Sequence, residues 1–339
     1  MLTYPAGGKK SEERKIYKSF IIGCGRIAGY SNDGFVNDFT HGYAYRENPS
    51  LELAGCMDIN PGRGKLFAEK FNCIAFDDFQ DGIIKTGSEI VSVCTPDDTH
   101  YKVVKSLLEM DSNIRVVFLE KPVCSTLDEM DHLIALSSEK NIDIVVNHTR
   151  RFDNRYKEIR KNIADGKYGD LVTGFITYYS GWQHNGVHII DTLSYLFDDS
   201  VEIESVNDGL NSQYPDDPTL EGKLYFLQSP GKIQLLSFDE NYYQLFEFDL
   251  RFEKARLRIE DFGTRILLEK KEVNSIGENV LIMQDNELVE NDKTAIQTAA
   301  NLIINSLVKN NPDLLNGYRM QDISETMKTI WKGLELYAN

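Results

Sequence analysis

The stretch Phe20–Gly29, "FIIGCGRIAG", decides the fold. An apolar run ends at Gly23, and Gly25 and Ala28 complete a G-x-G-x-x-A spacing. Gly23 permits a tight turn, Gly25 lets the backbone approach a pyrophosphate, and Ala28 lets a helix pack closely on the strand. The N–H groups and positive dipole end of that helix then face the phosphates. Arg26 and Ile27 lie inside the same loop and join Gly23, Gly25 and Ala28 as expected cofactor contacts.

Around this loop, residues 16–147 alternate short apolar runs with amphipathic segments. "IYKSFIIG", "LELAGCMD", "IVSVCTP", "RVVFLEKP" and "IDIVVNH" read as buried strands. "RGKLFAEKF", "THYKVVKSLLEM" and "TLDEMDHLIALSSEK" read as helices. Such alternation predicts a doubly wound parallel sheet with helices on both faces. The second strand ends at Asp58, an acid able to accept hydrogen bonds from an adenosine ribose diol, which favours NAD over NADP. Asp58 follows Gly23 by 35 positions, against roughly 20 in the usual fingerprint. The excess falls on the polar insertion "YSNDGFVNDFT", read either as a flap beside the cofactor or as a plain surface loop.

Beyond about residue 147 the period changes. "YYQLFEFDLRF" alternates Phe246, Phe248, Leu250 and Phe252 with Glu247, Asp249 and Arg251, and "KARLRIE" continues the alternation. Period two predicts half-buried strands, typical of a mainly antiparallel sheet with one covered face. "QSPGKI" reads as a turn between two strands. Ile296, Ala299, Ala300, Ile303 and Leu307 keep helical spacing, as does "DISETMKTIWKGLELY". The organisation expected is a polar tail (1–15), a doubly wound dinucleotide-binding domain (16–147) and a mainly antiparallel domain with closing helices (148–339).

Lys and Arg number 37 against 53 Asp and Glu, a formal charge of −16, which argues against nucleic-acid or anionic-membrane binding. No apolar run reaches the roughly 20 residues of a membrane helix. The N-terminus has no apolar core of a secretory signal. Five scattered cysteines without a CxxC pair suit reduced thiols in a cytoplasmic protein.

Two further stretches, with the glycine loop, carry a resemblance. "VSVCTPDDTHYKVVKSLLE" resembles the V-x-V-x-T-P-x-x-x-H segment of the Gfo/Idh/MocA oxidoreductases, and "VVFLEKPVCSTLDEM" their E-K-P signature at Glu120, Lys121 and Pro122. "GWQHNGVHIIDTLSYLF" looks like their active-site helix, with His188 followed three residues later by Asp191. The resemblance is specific from about 16 to 195. It implies a Rossmann domain holding NAD(P), a second domain (148–339) whose large, mainly antiparallel open sheet backs the substrate and often forms an oligomer interface, and reversible oxidation of a secondary alcohol on a sugar, cyclitol or nucleotide-sugar. A homodimer or homotetramer is implied too. Thr95, Pro96, Asp97 and His100 would lie along the cofactor, with Glu120 and Lys121 at the nicotinamide end.

The chemistry fits those positions. Oxidising a carbinol needs a base for the hydroxyl proton, and His188 stands at the family's base position, with an unperturbed pKa near 6.5. Lys121 is expected to stabilise the developing alkoxide. Many members of the family have aspartate where this chain has His184; an imidazole supplies no anion, so His184 is expected at the substrate or in proton exchange. His184 and His188 stand four apart, but Asn185 replaces the glutamate of the zinc-protease pattern and no third ligand is indicated, so no metal is expected. In "HTRRFDNRYKEIRK", Arg150 and Arg151 are the candidates for an anionic substrate group. Trp182 and Gln183 are candidates for lining a sugar pocket. The resemblance also admits transient oxidation by retained NAD, as in family glycosidases. A non-catalytic NAD(P) sensor is the alternative from another class.

Overall fold

The computed structural model describes residues 15–30, 38–284, 288 and 291–338. The polar tail, apart from Lys15, and most of the 30–40 insertion lie outside the described residues.

Six parallel strands form the first sheet: β1 (Tyr17–Ile22), β2 (Leu51–Met57), β3 (Ile74–Phe76), β4 (Ile90–Val93), β5 (Val116–Leu119) and β6 (Asp143–Val146), in the order β3-β2-β1-β4-β5-β6. The β4 and β5 side chains are wholly buried, as strands covered on both faces require. Between them run α1 (His41–Arg46), α2 (Pro61–Phe71), α3 (Phe79–Thr86), α4 (His100–Glu109) and α5 (Leu127–Lys140). Asn60 and Thr126 cap α2 and α5 through their side-chain oxygens. Strand order reverses between β1 and β4, and a crevice opens there at the carboxyl ends of the strands. Both signature loops leave at this edge.

The chain then crosses through α6 (Thr149–Phe152) and α7 (Asn154–Ala164) into an eight-stranded sheet. Its strands are β7 (Leu171–Tyr178), β8 (Val201–Asp208), β9 (Leu220–Phe226), β10 (Lys232–Ser237), β11 (Glu247–Phe252), β12 (Ala255–Glu260), β13 (Arg265–Val273) and β14 (Asn279–Met283). The order is β14-β13-β12-β11-β7-β10-β9-β8, with only β7 and β10 parallel. Leu250, Leu257 and Ile259 face the core, in one cluster with apolar residues of α8 (Val187–Phe197) and α10 (Ser324–Ala338), as the period-two pattern predicts.

The remaining helix, α9 (Ala295–Lys309), departs from expectation. Its apolar stripe Ile296, Ala299, Ala300, Ile303 and Leu307 packs in one core with Tyr17, Ala44 and Tyr45 of the first domain. Asn48 also donates to Asn301 at 3.1 Å. A stripe specifies that a helix is buried, not which domain buries it.

Candidate functional site

Gly23 adopts φ +86°, and a Cβ there would lie 2.7 Å from the Cys94 carbonyl, so only glycine fits this turn against β4. At Gly25 a Cβ would meet nothing within 4 Å, so the loop faces open space. Arg26 and Ile27 are exposed over that space, while Ala28 is buried beneath it. The helix expected straight after the loop is interrupted. His41 N–H donates to Ile27 O and Gly42 N–H to Ala28 O, a separation of 14 residues where a continuous helix has four. Ten additional residues therefore stand inside one helical ladder. They account for most of the unusual distance from Gly23 to Asp58.

Asp58 is placed as expected but is already engaged. It accepts from Cys24 N–H and Asn60 N–H, each at 2.7 Å, and from Arg63 Nε and Nη2, each at 2.9 Å. Burial opposes its ionisation, yet Arg63 and the two N–H groups hold the carboxyl below its ordinary value. A ribose diol must share this acid with Arg63. An arginine here also suits a 2′-phosphate, so Asp58 alone does not select NAD. Arg63 was legible only as a helix residue, because pairing across five positions at a strand end has no sequence signature.

At the carboxyl end of β4, Thr95 and Pro96 leave the strand and Asp97 stands half-exposed. His100 is not a free cofactor contact. It is buried, with Nδ1 2.7 Å from Pro122 O and Nε2 2.9 Å from Thr95 O, and so ties the two signature loops together. Glu120 lies beneath, bound by His41 Nε2 at 2.9 Å and Asn147 Nδ2 at 2.6 Å. His41, in turn, meets Ser92 Oγ at 2.9 Å. His41 belongs to no stretch that the sequence marks, and Asn147 only to the end of one read as a strand. Lys121 Nζ donates to His184 O at 3.0 Å, which joins the E-K-P loop to the second domain. Burial lowers the Lys121 pKa, against the opposing pull of Glu120 and Asp97.

The histidine segment opens with a π-turn, Trp182–Gly186, before α8. Ser180 and Gly181 precede it at φ +46° and +84°, and a Cβ at Gly181 would overlap the Asp217 carboxylate. Asp217, brought in by the β8–β9 connection, accepts from Gln183 N–H at 2.8 Å and His184 N–H at 2.9 Å. The His184 ring stacks on Tyr214 at 3.8 Å, with Nδ1 3.9 Å from Asp217 and 4.0 Å from Asp97. The carboxylate absent at position 184 thus returns from 33 residues downstream. Burial, then Lys121, lowers the His184 pKa, and burial raises that of Asp217. His188 is half-buried, its ring 6.3 Å from that of Phe246. Burial and the cations Lys121 and Arg150 push its pKa well below 6.5, so the ring is neutral at pH 7.

Several expected substrate contacts have other employment. Trp182 is wholly buried, and its Nε1 donates to Ile330 O at 2.8 Å; it is core, not pocket. Arg151 is buried against Asp191, with Nε–Oδ1 and Nη2–Oδ1 both 2.9 Å, and its Nη1 donates to Gly317 O at 2.8 Å. It therefore presents nothing to a substrate anion. Arg150 Nη2 donates to Phe262 O at 3.0 Å and its guanidinium lies 4.8 Å from the Phe246 ring centre. Gln183 remains half-buried beside His184. Among the described residues, no three His, Cys, Asp or Glu side chains cluster to hold a metal.

The glycine loop with its open cradle, the acid ending β2 and the crevice at the β1–β4 switch fit a nicotinamide dinucleotide. They define a two-domain protein of the dinucleotide-binding α/β class. Residues 17–148 match the Gfo/Idh/MocA family model described as oxidoreductase family, NAD-binding Rossmann fold. The chain is similar to the uncharacterised oxidoreductase YhhX of Escherichia coli K12, 28% identical over 41% of this chain and 44% of that one. It is similar also to the scyllo-inositol 2-dehydrogenase (NADP+) IolW of Bacillus subtilis 168, 29% identical over 32% of this chain and 35% of the relative. The chain spans less than half the length of these curated relatives. Among solved structures, the 3-ketoreductase KijD10 of Actinomadura kijaniata, determined with NADP, superposes with a TM-score of 0.74 at 13% identity. That match covers 95% of this chain and 98% of the other and shows a shared fold.

Proposed function

We propose that this protein is an NAD(P)-dependent dehydrogenase that oxidises, reversibly, a secondary alcohol of a sugar or a sugar-like polyol. One observation carries the reading: Lys121 and His188 come from different domains to one cleft, and His188 is kept neutral there. When bound, the dinucleotide supplies the hydride acceptor. Gly23, Gly25 and the Arg26–Ala28 turn form the wall for its phosphates, and Asp58 with Arg63 the site for its adenosine ribose. The neutral His188 ring takes the hydroxyl proton. Lys121 donates a hydrogen bond to the same oxygen and balances the charge that grows there. Its bond to His184 O and the nearby carboxylates of Asp97 and Asp217 aim the ammonium into the cleft. The cyclitol dehydrogenase among the relatives supports the substrate class.

The test is NAD(P) reduction, followed by nicotinamide absorbance, over inositols, free sugars, glycosides and nucleotide-sugars. Turnover with at least one polyol is expected. Lys121→Ala is expected to lose about 100-fold or more in kcat with little change in dinucleotide affinity. Near-normal turnover in that variant removes the mechanism.

A further inference from the structure

We propose that the cavity bounded by α1, α6, α7 and the N-terminal end of α9 is a subsite for the neutral second ring of a glycoside, with the Phe262 ring as its platform. This names the substrate class of the reading above and rests on it.

The cavity measures about 820 Å³, towards the upper end of the roughly 300–1,000 Å³ of small-molecule sites. Its walls carry three cations, Arg150, Arg155 and Lys293, and three anions, Asp38, Asp153 and Asp292. Asp153 and Arg155 are paired at 2.7 Å. With charges balanced, a nucleotide or sugar phosphate finds no net attraction, while neutral hydroxyls meet both donors and acceptors. Two partly exposed aromatic rings stand among these polar groups, Phe39 at 58% and Phe262 at 46% exposure. An aromatic face in a polar cavity suits the C–H face of a pyranose.

The turn that presents Phe262 is strained. Asp261, Phe262 and Gly263 adopt φ +50°, +59° and +95° in succession, a left-handed run that non-glycine residues disfavour. The arginine stretch holds it there. Arg150 donates to Phe262 O at 3.0 Å, and Arg155 donates to Gly263 O at 3.1 Å and Thr264 O at 2.8 Å. These arginines thus hold the turn that aims an aromatic ring. The Phe262 ring brings the cavity near the proposed reacting centre: it lies 5.8 Å from Tyr179 and 6.1 Å from the buried Phe246, whose ring lies 6.3 Å from His188.

The experiment is calorimetric titration of the NADH-loaded protein with glucose, cellobiose, maltose, lactose and UDP-glucose. At least one disaccharide is expected to bind about tenfold or more tightly than glucose. Phe262→Asn, which tolerates the left-handed backbone, should abolish that advantage and leave glucose affinity unchanged. Phe39→Ser, in the same lining, should reduce it severalfold, and NADH affinity of both variants reports their folding. The proposal is overturned if no disaccharide exceeds glucose, if UDP-glucose exceeds every disaccharide, or if both variants keep the advantage. Tight disaccharide binding without NADH formation from NAD would preserve the subsite and remove the oxidation reading. Oxidation of a monosaccharide with no disaccharide advantage would do the reverse.

Discussion

Asp58 shows how one side chain carries a role that its neighbours redefine. Its position after β2 is legible from the strand pattern, but its four hydrogen-bond partners are not, because Arg63 and two backbone N–H groups converge only in the fold. Removing the guanidinium leaves a carboxylate that repels a 2′-phosphate and accepts a ribose diol freely. Arg63→Ala is therefore expected to raise the ratio of the NADP to the NAD dissociation constant about tenfold or more, a cost of about 1.4 kcal/mol. An unchanged ratio, by fluorescence titration with both reduced dinucleotides, would show that Arg63 does not face the ribose. His188 gives a second prediction at this scale. Burial and neighbouring cations lower its pKa, so as the proposed base it would stay neutral below the usual histidine range. The kcat/KM for oxidation should stay level as pH falls through 6.5 and decline only well below it. An acid limb centred at or above 6.5 would exclude His188 as the base.

At the scale of the element, local patterns were read well where a single period governed them. The strands of the first sheet and the alternation in β11 and β12 follow directly from which faces are buried. The histidine segment was legible as a helix, but its π-turn was not, because that geometry depends on Asp217 and on left-handed Ser180 and Gly181. The insertion was legible as an excess in spacing, but not as an interruption of one helical ladder. Deleting residues 31–40 would turn the Ile27 O–His41 N and Ala28 O–Gly42 N bonds into ordinary i to i+4 bonds. The deletion variant should fold, with a melting temperature within about 4 °C of the parent. It should keep dinucleotide affinity and lose disaccharide selectivity, because Asp38 and Phe39 leave the cavity wall with it. Loss of dinucleotide binding in a folded variant would make the insertion part of the cofactor site instead.

The whole molecule is held by contacts that no local stretch announces. α9 returns from the second half of the chain to complete the core of the first. Beneath the cleft, Arg151 of α6, Asp191 of α8 and the Gly317 carbonyl meet in one buried cluster, with His148 Nδ1 3.3 Å from Asp191. Burial pushes the His148 pKa down to about 4, so Asp191 is the group that balances Arg151 at neutral pH. Burial also opposes ionisation of Asp191, but Arg151 and His148 outweigh it and hold the carboxyl below its ordinary value. A carboxylate depressed on folding contributes stability above its unfolded value, near 3.9, and loses it as pH falls through the folded value. Asp191→Asn keeps the shape and leaves Arg151 buried without a counter-charge, which should cost about 3–5 kcal/mol at pH 7. Urea unfolding of parent and variant, from pH 7 down to the lowest pH at which both unfold cooperatively, measures this gap. It should be widest at neutral pH and narrow as pH falls below about 4, where the unfolded parent takes up the proton, towards the lower value at which the folded carboxylate is lost. A gap under about 1 kcal/mol at pH 7 would mean that Gly317 and surrounding dipoles, rather than Asp191, hold the guanidinium in place.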